Sequence, residues 1–303
     1  MIKRSTRIFW RGGRRLRGYS FSDFVHGYVY ARWPYHYIGI ATGAKRAPWF
    51  LRPVVAVLSR LFARNGDATD RARAFADRYH GKVVPTAAAE ELVTLNRPIE
   101  LHDLEQVIPY ATARDIILQD PDHIVALECP CRSVRENPCL PLDVCLIVGE
   151  PFAEFVVEHH PEKARAITQQ EAVEILRAER DRGHVHHAFF KDAMLGRFYA
   201  ICNCCSCCCG AMQAWRNGTP MLASSGYVAA TDDERCVGCG ACAEICPFDA
   251  ISMADGRAIV DRDRCMGCGV CVAACPQSAL ALTRDATKGE PLRIRDLEAS
   301  RAG

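Results

Sequence analysis

Two stretches in the last quarter of the sequence carry the same cysteine pattern. The first runs Cys236-Val-Gly-Cys239-Gly-Ala-Cys242-Ala-Glu-Ile-Cys246-Pro247, and the second Cys265-Met-Gly-Cys268-Gly-Val-Cys271-Val-Ala-Ala-Cys275-Pro276. Both read C-x2-C-x2-C-x3-C-P, the spacing of bacterial iron–sulfur ligation. A [4Fe–4S] cube needs four thiolates converging on its corners. A tight loop delivers three, and a remote position delivers the fourth. The copies lie 29 residues apart, and residues 235–251 match 264–280 at nine of 17 positions. A purely structural role for so regular a repeat is improbable.

The segment resembles the two-cluster bacterial ferredoxin domain over roughly residues 231–283. That resemblance implies crossed ligation, with the fourth cysteine of each run binding the other cluster. One cluster would take Cys236, Cys239, Cys242 and Cys275, and the other Cys265, Cys268, Cys271 and Cys246. Glycines such as Gly238 and Gly267 let the loop turn and aim amide N–H groups at sulfur. Asp255-Gly256, between the apolar runs 250–253 and 258–260, predicts a hairpin. So short a unit has little core of its own, so its clusters should supply much of its folding free energy.

The rest of the chain sets the context. With 303 residues it has room for two domains, and its net charge of +2 gives no global argument for nucleic acid. Charge is nevertheless segregated. Residues 1–17 hold seven basic side chains and no acid, whereas 231–285 hold nine acids and five arginines. Such asymmetry suggests separate docking surfaces. No apolar run is long enough for a membrane span; the nearest, 49–62, is interrupted by Arg52, Pro53 and Arg60 and predicts an amphipathic helix from Pro53 onward. No secretory leader is readable, and the 18 cysteines have metal spacings rather than a disulfide framework. A cytoplasmic, reducing setting is therefore expected.

The expected class is α+β with four parts. These are a basic, aromatic-rich segment at 1–65, a cysteine-rich α+β domain at 66–230, the ferredoxin-like domain at 231–285 and a tail at 286–303. Residues 9–50 hold twelve of the 25 aromatics. Packing on the chain's own core is the first reading of that density, followed by a partner subunit and a peripheral membrane contact. Helices are expected over 70–80 (ended by Gly81), 90–95 and 103–118, with Pro109 disturbing the last. Residues 123–127 read as a buried strand. Thr168 opens a capping box for a helix that Gly183 stops.

Ten further cysteines lie in the central part: Cys129, Cys131, Cys139, Cys145, Cys202, Cys204, Cys205, Cys207, Cys208 and Cys209. Three readings compete with plain burial. They are one or two further iron–sulfur clusters with ligands drawn from both sets, a zinc ion held by thiolates, and a redox-active thiol pair. His184, His186 and His187 read first as a solvated or hydrogen-bonded loop and second as imidazole ligands. His159-His160 reads as a loop. There is no phosphate-binding P-loop, no G-x-G-x-x-G after a strand and no G-x-S-x-G elbow.

The sequence thus predicts an iron–sulfur electron carrier, or an electron-transfer subunit, working with a redox protein or a larger oxidoreductase complex. Two alternatives stand beside it. In one, the central cysteines form an oxidoreductase active site. In the other, a zinc-stabilised module docks the ferredoxin-like part.

Overall fold

The computed structural model describes residues 2–46 and 67–302. The helix expected from Pro53 lies outside the described residues. Three helices open the chain: α1 (Arg4–Arg14), α2 (Phe21–Arg32) and α3 (Pro34–Ala41). Ser20 and Asp23 form a reciprocal capping box at the start of α2, and Pro34 starts α3 where its missing N–H has no cost. Phe9 is fully buried, edge-on to Phe24 at 5.4 Å and to Phe152 at 5.6 Å. Much of the aromatic segment therefore packs on the chain's own core.

The central part alternates helices and strands. It begins with α4 (Ala68–Arg78), β1 (Tyr79–Val83), α5 (Thr86–Val93), β2 (Ile99–Leu101) and β3 (Ile116–Glu128). The short α6 (Pro130–Ser133), β4 (Asp143–Glu150), α7 (Phe152–His159) and β5 (Ala164–Ile167) follow. It closes with α8 (Gln169–Asp181), β6 (Val185–Lys191), β7 (Arg197–Cys204), α9 (Gly210–Arg216) and β8 (Leu222–Ala223). Thr168 caps α8 by accepting from the Glu171 N–H, and 123–127 form the second half of β3, as the sequence predicts.

Two local expectations need correction. Gly81 does not end the first central helix; it lies inside β1 opposite Phe189, where a side chain would press on that ring. Residues 103–118 are not a helix. Asp103 and Ala113 take positive φ, Pro109 lacks a donor, and the segment turns irregularly before β3 begins at Ile116. Its buried Leu104, Val107 and Ile108 supply the apolar spacing that imitates a helix.

The main sheet has eight strands in the order β2-β3-β4-β7-β6-β1-β8, with β5 also paired to β3. All pairings are antiparallel except β1 with β8. Side chains alternate between its faces. Ile124, Ala126, Leu146, Val148 and Ala188 face one core with α5 and α8 residues such as Leu92 and Leu176. Val125, Leu127, Cys145, Ala200 and Phe189 face the other core, shared with Phe9, Tyr30 and Phe152. That second core continues into the C-terminal segment through Phe248, Cys242 and Cys271.

The C-terminal segment is built from β9 (Tyr227–Thr231), α10 (Ala241–Glu244), β10 (Ile251–Ala254), β11 (Arg257–Val260), α11 (Val270–Ala274) and β12 (Leu280–Arg284). β10 and β11 form the expected hairpin, with Asp255 and Gly256 both at positive φ. β12 returns to pair with β9. A final helix, α12 (Ile294–Ala302), packs back through buried Ile294 and an Arg293–Glu91 ion pair at 3.2 Å. No helix among the described residues is long and apolar enough to cross a membrane.

Candidate metal centres

The repeat brings its eight cysteines together in two groups. One small cavity is lined by Cys236, Cys239, Cys242 and Cys275, and a second by Cys246, Cys265, Cys268 and Cys271. Each cavity thus draws three thiols from one loop and its fourth from the other. Backbone amides already point at sulfur. Ala250 N–H donates to Cys246 Sγ and Ala279 N–H to Cys275 Sγ, both at 3.3 Å, and Ala229 N–H reaches Cys265 Sγ at 3.4 Å. Ala250 and Ala279 are repeat mates, so the local geometry follows the sequence repeat. Burial pushes the Cys271 thiol up to about 12, so thiolate at this site requires a compensating positive charge. An all-sulfur donor set with N–H···S bonds fits iron–sulfur chemistry.

The loop backbones are tight where glycine occurs. A Cβ on Gly267 would sit 2.1 Å from the Tyr227 carbonyl oxygen, and one on Gly238 would sit 2.2 Å from that of Gly256. Both have positive φ. A side chain there would collide with backbone that cannot yield.

The ten central cysteines are gathered by the sheet. β3 and β7 end, and β4 and β6 begin, at the same end of it, so segments 129–142 and 205–209 meet there. Cys145 lies directly opposite Cys202 in the β4–β7 register, and their thiols touch. Contacts continue from Cys145 to Cys129, from Cys129 to Cys131, from Cys131 to Cys209 and from Cys209 to Cys204. These six thiols line an apolar cavity of about 210 Å³, closed on other sides by Tyr30, Tyr37, Ile38 and Tyr199. The Cys131 thiol, together with burial, pushes Cys129 up to about 12. The Cys131, Cys145, Cys204 and Cys209 thiols are raised as well in this buried setting, so binding a cation there would release protons.

The remaining four form a separate group. Cys139, Cys205, Cys207 and Cys208 have all their sulfurs within 4.8 Å of one another. Cys139 Sγ lies 2.9 Å from Cys207 Sγ, and Cys207 Sγ lies 3.5 Å from Cys208 Sγ. Cys205 also lines the six-thiol cavity, so the two groups adjoin.

Arg132 ties the cysteine-bearing segments together. Its side chain is 1% exposed. It donates to the Pro141 carbonyl at 2.6 Å, the Asn203 carbonyl at 3.0 Å and the Glu179 carboxylate at 2.5 Å. Glu179 is itself 1% exposed and also accepts from Arg182 at 3.1 Å and contacts His184 Nδ1 at 2.7 Å, whereas the buried Arg132 Nε has no partner among the described residues. In sequence Arg132 is one basic residue after Cys131; nothing local marks its reach across three segments. Lys191 was equally invisible. It is buried against the rings of Tyr79 at 4.6 Å and Tyr30 at 5.1 Å, and burial lowers its pKa to about 8. The hydroxyls of Tyr30 and Tyr199 are 2.8 Å apart beside the same cavity.

The loop reading of the histidines holds for His184 and fails for its neighbours. His184 is the hydrogen-bonded loop residue of the first reading, buried with its Nδ1 2.7 Å from Glu179, whereas His186 and His187 are buried on β6. His186 contacts Asn203 Oδ1 at 2.6 Å and Thr86 at 3.2 Å. His187 lies opposite Cys202 in the register, with both ring nitrogens unpaired. Desolvation lowers its pKa to about 3, which leaves the imidazole neutral. The paired histidines of β6 break any polar–apolar alternation, and all seven of its residues are buried, so the helix stop just before it was the stronger local signal. His159 ends α7 and His160 caps it, and both are buried, against Thr6 and the Ala31 carbonyl respectively.

Comparison with known proteins bears on the C-terminal segment. The family described as the 4Fe-4S dicluster domain matches residues 235–279. "Ferredoxin-2" of Desulfomicrobium norvegicum (strain DSM 1741 / NCIMB 8310) is 38% identical over 34 residues, which is 11% of this chain and 58% of that protein. The chain therefore spans a little over half the length of this curated relative. The C-terminal segment is a ferredoxin-like iron–sulfur domain that binds [4Fe–4S]. The family match does not reach the central cysteines.

Proposed function

We propose that this protein carries single electrons through two [4Fe–4S] clusters held by the C-terminal repeat. Cys236, Cys239, Cys242 and Cys275 would hold one, and Cys246, Cys265, Cys268 and Cys271 the other. The observation that carries this reading is the pair of cavities, each lined by three cysteines of one loop and the fourth of its neighbour. Such clusters supply one-electron chemistry with the charge spread over iron and sulfide. The chain's own groups then set the potential. Thiolate charge lowers it, while the Ala229, Ala250 and Ala279 amides donate to sulfur and raise it. Burial by Phe248, Ile251 and Leu280 keeps water away.

A second feature supports a longer electron path. The six-thiol cavity is large enough for a polynuclear group, and its cysteines offer six sulfur donors. The central region also touches the C-terminal segment right after Cys246. Arg216 donates to the Pro247 carbonyl at 3.0 Å, and Trp215 stacks edge-on to Phe248 at 5.2 Å. An additional cluster held by Cys129, Cys131, Cys145, Cys202, Cys204 and Cys209 would extend the wire toward a redox partner or a larger oxidoreductase complex.

The test is an oxygen-free redox titration of the full chain followed by electron paramagnetic resonance. Uptake of about two electrons with the signature of two interacting clusters is expected when only the repeat is loaded, and more with a central cluster. A chain that takes up no electrons at low potential would falsify the proposal.

A further inference from the structure

The ten central cysteines are not one site. The contact pattern divides them into six around the cavity and four beside it, and the four have a different geometry. Thiolates on a single tetrahedral ion, at a metal–sulfur distance of ~2.3 Å, lie ~3.8 Å apart. Thiolates on the four irons of a cube are spread wider, because each caps a different metal atom. The sulfurs of Cys139, Cys205, Cys207 and Cys208 all fall within 4.8 Å of one another, with Cys139–Cys207 at 2.9 Å and Cys207–Cys208 at 3.5 Å. Separations no larger than this suit a single ion and leave no room for a cube between them.

We infer that Cys139, Cys205, Cys207 and Cys208 hold one zinc ion in a closed tetrathiolate site. Four thiolates complete the coordination of a d¹⁰ ion, with no open position for a substrate, which is the structural form of such sites. The surroundings fit that role. Three ligands come from one short loop whose carbonyls are already engaged. Arg135 donates to the Cys208 carbonyl at 3.3 Å, Gln213 to that of Cys207 at 3.0 Å and Arg216 to that of Ser206 at 2.6 Å. Gln213 also accepts from Arg135 at 2.9 Å. These groups fix the loop behind the sulfurs, as outer-shell partners do at metal sites. The fourth ligand, Cys139, comes from the loop between α6 and β4, where Leu140 is 68% exposed and little apolar burial holds the chain. An ion would fasten this loop onto the 205–208 loop. Because Cys205 borders both groups and Arg216 bridges Ser206 to Pro247, the clamp would also brace the cavity against the C-terminal segment.

The experiment uses the full chain purified without oxygen. Zinc, iron and acid-labile sulfide are counted in the wild type and in Cys139→Ser/Cys207→Ser. The expected result is one zinc per chain in the wild type, lost in the double variant, with iron and sulfide unchanged. X-ray absorption at the zinc edge of the wild type gives a readout that no folding defect can disturb, and four sulfurs at ~2.3 Å are expected there. Loss of sulfide and iron with zinc absent throughout would assign these cysteines to a cluster and overturn the inference. A Cys139–Cys207 disulfide in the oxygen-free chain, or zinc bound by nitrogen or oxygen ligands, would overturn it as well. Retention of the C-terminal brown absorption in every sample keeps this outcome separate from the fate of the electron-transfer proposal.

Discussion

The C-terminal repeat and the central cysteine region use the same chemistry and build it in opposite ways. In the repeat, three ligands arrive within seven residues, and the loop glycines and amides that serve them are neighbours in the chain. In the central region, touching thiols come from β4 and β7, from the turn after β3 and from the loop before α9. No short spacing connects them; an eight-stranded sheet does. Local construction gives a site that survives on the bound metal and a small core. Long-range construction makes the site depend on the fold, and hence on single residues that hold strands in register.

The largest effect expected separates the two regions outright. Cys271→Ala should remove about half of the sulfide held by the repeat, because that unit folds on its clusters. Cys145→Ala should leave the repeat's sulfide and absorption in place. Sulfide assays on both variants check this, and loss of the repeat's clusters in Cys145→Ala would break the contrast.

Next in size is Arg132→Ala. It strips the buried Glu179 carboxylate of its buried cation and leaves it only His184 and the half-exposed Arg182, at a cost of about 3 kcal/mol. Thermal unfolding followed by near-ultraviolet circular dichroism should show the central region melting first, with the C-terminal absorption outlasting it. Simultaneous loss of both signals would mean that the regions form one cooperative unit.

Gly267→Ala should then test how far the loop backbone sets the site. Its positive φ and the approach to the Tyr227 carbonyl make a cost of about 1–3 kcal/mol, seen as faster loss of absorption under oxygen. Gly240→Ala has positive φ but open space around it, so a smaller loss of about 1 kcal/mol is expected. Equal behaviour of the two would remove the steric argument.

The smallest effect belongs to Thr168→Ala. It deletes the cap of α8 and should lower stability by about 1 kcal/mol with metal content untouched. Urea unfolding of the central region is the measurement.

The same contrast decides what the sequence made legible. The repeat could be read residue by residue, since cluster loops encode ligands, turns and hairpin within a few positions. The Thr168 cap and the strand at 123–127 were legible for the same reason. The central site was legible only as a count of cysteines. Its division into six and four depends on the Cys145–Cys202 register and on which thiols end up on one sheet face, which are properties of strand pairing. Arg132 stayed hidden because its partners lie 9 to 71 residues away. Residues 103–118 misled because buried apolar residues in an irregular segment can mimic helical spacing. His186 and His187 misled because a short strand following a helix stop looks like a polar loop.

Counting iron and acid-labile sulfide on the full chain, kept free of oxygen throughout, tests the central claim most directly. At least about eight of each per chain, with broad brown absorption, is the expected result. A colourless chain without labile sulfide would contradict it.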